Sequence, residues 1–126
     1  MFPKGCGFLK RDLDLIREIL LLIEESNRAL AVSDIRIPEY TTEEIVFHVE
    51  LLSDAGYVEL SRPKYLSRVC YVVQRLTMKG CDYLDSIRDE RVWKDTRATV
   101  LRTVGSAPLD IIKDIAVALI RDRLNL

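Results

Sequence analysis

The stretch TTEEIVFHVELLSDAGYV, residues 41–58, decides how this chain is read. Thr41 with Glu44 three residues on forms a capping box, which satisfies two orphan amide groups at a helix start. Ile45, His48, Val49 and Leu52 then recur at helical spacing and mark the core-facing side. Ala55-Gly56 supplies a left-handed C-terminal turn. Tyr57 and Val58 open an extended run. The pattern predicts a capped amphipathic helix that stops in a tight turn and feeds directly into a strand.

Upstream, residues 10–25 read as a helix. Leu13, Ile16, Leu20 and Ile23 line one face, and Leu15, Ile19 and Leu22 add a second apolar strip. Ser26-Asn27 ends it. Residues 32–37 alternate imperfectly and suggest a short strand, which Pro38 interrupts. Downstream, residues 57–60 and 68–76 read as strands, the second (RVCYVVQRL) rich in β-formers. The loop SRPKYLS, residues 61–67, joins them. Thr77 caps a further helix, with Met78, Leu84 and Ile87 as its expected buried residues. Charges at 88–91 mark an exposed segment or a kink before Trp93. After Gly105, Ser106 caps a last helix over residues 107–123, with Pro108 tolerated in its first turn.

This order predicts a mainly α fold of the α+β class, a winged helix-turn-helix with a helical C-terminal extension. Residues 1–9 form a flexible N-terminal tail. Residues 10–126 form a single domain, with the wing near 61–67. The helices at the two ends are apolar over wide arcs. Such helices pack on each other or form a seam between two copies, and a homodimer through both is the expectation.

Composition bounds the function. The chain has 126 residues, 48% of them hydrophobic, enough for a proper core. Nineteen basic residues against twenty acidic ones give a net charge of −1, which disfavours indiscriminate binding to phosphate backbones. No apolar run approaches the ~20 residues that cross a bilayer, and no secretion signal opens the chain, so a cytoplasmic location is expected. Cys6, Cys70 and Cys81 lack metal-ligand spacing and read as free thiols, buried or half-buried at 70 and 81. His48, the single histidine, falls on the core side of its helix. No base and nucleophile stand in a defensible arrangement and no glycine-rich phosphate loop is present, so neither catalysis nor a cofactor or metal is expected.

The segment His48-Val49-x-x-Leu52-x-x-Ala55-Gly56-Tyr57-Val58 resembles the "HL-x-x-L-x-x-AGLV" run of arsenic-repressor-type winged-helix regulators. Leu76-Thr77-x-x-Gly80-x-x-Tyr83-Leu84 resembles the run that follows the wing in such domains. The chain as a whole resembles an uncharacterised bacterial and prophage family through KRDLDLIREIL (10–20), FHVELLSDAG (47–56), LDSIRDERVW (84–93) and GSAPLDIIK (105–113). The resemblance implies a winged helix, often phage-borne, and carries no biochemical role.

Carried over residue by residue, the regulators' pattern puts Thr42, Glu43, Val46 and Phe47 at the bases. Two functions follow, of different kinds. As a DNA-binding regulator of a phage or mobile element, the chain would contact double-stranded DNA through Thr41 and Thr42, with Arg62, Lys64, Tyr65 and Arg68 on the backbone or minor groove. As a protein-interaction module, it would dock a host or phage protein through Val46, Phe47 and the acids Glu43 and Glu50, with Trp93 a further candidate anchor. The acids weigh against DNA and the basic loop weighs for it.

Overall fold

Asp12 starts the first helix, α1 (Leu13–Glu25): its carboxylate accepts from the Leu15 N–H at 3.0 Å. The computed structural model describes residues 9–64 and 67–126; Cys6 and Tyr65 lie outside them. The chain divides into two compact units, Met1–Gly80 and Cys81–Leu126.

In the first unit α1 buries Leu15, Ile16, Ile19, Leu20 and Ile23, so both apolar strips are largely spent inside the fold. Strand β1 is only Leu30–Ala31, and Val32–Asp34 is a 3-10 turn rather than a continuing strand. The reason lies in its partner. β1 pairs antiparallel with β3 (Val72–Leu76) through Leu30↔Val73 and Ala31↔Val72, and β3 begins there. The residues before β3, Arg68–Cys70, form another 3-10 turn closed by the Cys70 N–H on the Ser67 carbonyl at 2.9 Å. The strand expected over 68–76 is shortened accordingly, and Cys70 sits half-buried in the turn. Ile37 to Tyr40 make a turn, Tyr40 N–H to Ile37 O at 3.2 Å, with Glu39 at φ 73° in the position where a type II turn needs a positive φ.

Helix α2 (Thr42–Asp54) carries the complete capping box, Thr41 N–H to Glu44 Oε1 at 3.0 Å and Glu44 N–H to Thr41 Oγ1 at 3.1 Å. It ends at Ala55, and Gly56 takes φ 83°. Strand β2 (Val58–Ser61) follows and pairs antiparallel with β3, giving the sheet order β1-β3-β2. The molecule is thus mainly helical with a small three-stranded antiparallel sheet, an α+β arrangement.

Helix α3 (Met78–Ile87) begins in the first unit. Gly80, Tyr83, Leu84 and Ile87 form its buried stripe. Met78 falls on the opposite side and is 77% exposed, which corrects the expectation that it is buried. Cys81, also expected at least half-buried, is exposed. In the second unit Asp89 breaks the helical run and caps α4 (Glu90–Thr103), accepting from the Val92 N–H at 3.0 Å. That hydrogen bond, with Arg123 nearby, holds the Asp89 carboxyl below its usual range. Gly105 at φ 80° turns the chain into α5 (Leu109–Arg123), which starts after Pro108 without the side-chain cap expected from Ser106. Arg123 reaches back to Asp95 and lies 3.9 Å from Asp89, tying the end of α5 to α4.

Candidate functional site

Helix α2 and the β2–β3 hairpin together form the candidate face. Glu43, Phe47, Glu50 and Asp54 stand at i, i+4, i+7 and i+11, so they share one side of α2. Glu43 and Asp54 are exposed, Phe47 and Glu50 half-buried. The hairpin arginines are clamped onto this helix. Arg62 Nη2 donates to Asp54 Oδ1 at 3.1 Å. Arg68 grips Glu50 with two donors, Nε to Oε2 at 3.2 Å and Nη2 to Oε1. The Glu50 hydrogen bond raises the Arg68 pKa above its ordinary value. Arg62 also lies 6.0 Å from the Tyr71 ring centroid. Arg75, on β3, pairs with Glu59 at 2.7 Å.

The structure thus pairs Arg68 of the DNA reading with Glu50 of the protein reading, and Arg62 of the DNA reading with Asp54, which neither reading included. Thr41 and Thr42 are exposed at the start of α2, and Lys64 is exposed in the hairpin loop with no ion pair among the described residues. Val46 is 3% exposed and belongs to the core, so it presents nothing to a partner. α2 packs against α1, β2 and both 3-10 turns, and its buried arc includes residue 46. Trp93 is 6% exposed and is a core residue of its unit, not a surface anchor. Phe47 keeps a half-exposed ring, packed edge-on against His48 at 5.4 Å between centroids.

His48 is 1% exposed and satisfied at both nitrogens. The Asp12 N–H donates to Nε2 at 2.8 Å, and Nδ1 lies 2.7 Å from the Glu44 carbonyl. A backbone N–H is an obligatory donor, so Nε2 must be the acceptor and Nδ1 must carry the proton. Asp12 accepts in turn from the Tyr40 hydroxyl at 2.9 Å. Burial and this carboxylate raise the Tyr40 pKa. The ring therefore links the cap of α1 to α2, and is a structural strut with no lone pair left for a ligand.

Sequence reasoning missed the arginine–carboxylate pairs and the role of Asp12. A signal for each existed: Glu50 and Asp54 at i, i+4 opposite a loop with two arginines, and an Asp directly ahead of an apolar periodic run. A groove of about 450 Å³ adjoins the start of α2, lined by Ile35, Ile37, Pro38, Tyr40, Thr42 and Ile45 among others.

No helix among the described residues is long and apolar enough to cross a membrane. No solved structure matches the chain. An uncharacterized protein of Haemophilus influenzae is 31% identical over 120 residues, covering 92% of this chain and 99% of that protein. The model of a family described as hypothetical protein DUF2513 matches residues 10–106, and with most of its length inside that match the chain belongs to the DUF2513 family.

Proposed function

We propose that this chain is a winged-helix protein that uses the α2–hairpin face to dock a protein partner. The winged-helix reading is supported by the order α1, β1, α2, β2, β3 and by the sheet order β1-β3-β2. In that reading α2 takes the recognition position and the β2–β3 connection is the wing. The second helix of the motif is reduced to the turn Val32–Asp34.

The observation that carries the protein-docking role is the pairing of Arg62 and Arg68 with Asp54 and Glu50. A phosphate backbone would have to displace both carboxylates and then face them, together with Glu43, as like charges. The gain from counterion release shrinks with each cation already neutralised. What remains outward on α2 is the half-exposed Phe47 with one acid, Glu43, outside these pairs, which suits a partner with an apolar pocket. DNA binding by a regulator of a phage or mobile element is the second reading. It is favoured by exposed Lys64 and by Thr41 and Thr42 at the helix start.

The test is a titration against random duplex DNA at low and at physiological salt. No saturable binding is expected at physiological salt, and Glu50→Gln with Asp54→Asn, which frees both arginines, is expected to raise low-salt affinity by about tenfold. Tight wild-type binding that falls steeply with salt and vanishes when Arg62, Lys64 and Arg68 become Ala would establish the second reading instead.

A further inference from the structure

The exposed large apolar side chains among the described residues are unevenly placed. Val69 and Met78 lie before residue 81; Leu101, Val104, Ile111, Leu124 and Leu126 lie after it. α5 carries two apolar strips. Leu109, Ile112 and Ala116 are buried, and α5 packs on α4. Ile111, Ile115 and Ala118, spaced four and three residues apart, face another way; Ile111 is 46% exposed, Ile115 half-buried and Ala118 exposed. That spacing is the d-a-d repeat of a helix–helix seam. In the same register Asp114 and Arg121 occupy successive g positions. Both are exposed, and neither has an ion-pair partner among the described residues, whereas Arg123 is engaged with Asp95.

We propose that a second copy of this chain covers this strip, with the two α5 helices antiparallel about a two-fold axis at the helix middle. The charge pattern selects that occupant. Acid at the N-terminal g position and base at the C-terminal one is self-complementary only when the helix meets itself reversed: Asp114 of each copy then faces Arg121 of the other, twice per dimer. Leu101 and Val104, on and just after α4, and Leu124 and Leu126, after α5, are further exposed apolar side chains of the same unit. α1 takes no part, since its strips are largely buried.

Sedimentation equilibrium on the full chain tests this. The wild type is expected to be a dimer at micromolar concentration. Ile111→Asp is expected to weaken the dimer at least tenfold with an unchanged circular-dichroism spectrum. Asp114→Arg and Arg121→Asp alone each turn two attractive pairs into repulsive ones and are expected to weaken it by about tenfold. The double variant restores opposite charges and is expected to return to within about threefold of wild type. A wild type that stays monomeric at high micromolar concentration overturns the proposal. So do folded single charge variants that dimerise as wild type, or a folded double variant no tighter than the singles. If Ile111→Asp does not fold, the charge variants at exposed positions decide.

Discussion

Gly80→Ala is expected to destabilise the protein by about 2 kcal/mol, against the helix-propensity trend. Alanine in a helix interior is favoured over glycine by about 1 kcal/mol. Gly80, however, is buried in the first turn of α3, where a Cβ would lie 2.1 Å from the Tyr57 carbonyl oxygen and 3.1 Å from its carbon. The obstructing atoms are backbone and cannot rotate away, so α3 has to shift. Overpacking of this kind costs about 3 kcal/mol at the upper end of its usual range, which outweighs the propensity gain.

The shift would also loosen a set of hydrogen bonds. The carbonyls at the end of α2 are taken up by the start of α3. Lys79 Nζ donates to Ala55 O at 3.2 Å, the Thr77 hydroxyl to Gly56 O, and the Thr77 N–H to Tyr57 O at 3.0 Å. Urea unfolding of the two proteins decides the sign. A variant as stable as wild type, or more stable, would sink the packing account of Gly80.

What could be read from the sequence alone was mostly local. The capping box of Thr41 and Glu44 and the turn at Gly56 involve residues a few positions apart, and both stand in the structure where the pattern put them. Gly80 was visible as a motif position, but its reason is an approach to Tyr57 across the fold. The strand ends failed for a similar cause. β-propensity runs through residues 68–71, yet pairing with β1 begins only at Val72, and the chain before it folds into a 3-10 turn. The acidic face of α2 was legible as charge, while its neutralisation by Arg62 and Arg68 depends on contacts across eight and eighteen residues. That non-local pairing is what supports the proposed docking of a protein over DNA binding. The burial of Val46 is not legible in the sequence because helical periodicity gives a direction and not the width of the buried arc, which packing against several elements sets.

His48 gives the second large effect, and it couples stability to pH. Burial is the main cause that lowers its pKa below the ordinary 6.5; the Glu44 carbonyl, Asp12 and Glu44 pull the other way, and Arg11 adds to the lowering. The native state therefore holds a neutral ring, and protonation would set Nε2–H against the Asp12 N–H. Well above pH 6.5 the ring is neutral in both folded and unfolded chains and contributes no pH dependence. Below it the unfolded chain binds a proton that the native state refuses, so stability falls as pH drops, by up to about 1.4 kcal/mol per pH unit, until the native pKa is reached. With a single histidine in the chain, this slope between pH 6.5 and about 5 is assignable, because carboxylates titrate mainly lower. His48→Leu is expected to cost about 2–3 kcal/mol at neutral pH, chiefly by leaving the Asp12 N–H without its acceptor. It should also flatten the slope. Chemical unfolding at pH 7.5 and 5.5 reads both effects, and a variant that keeps the wild-type pH dependence would remove His48 as its source.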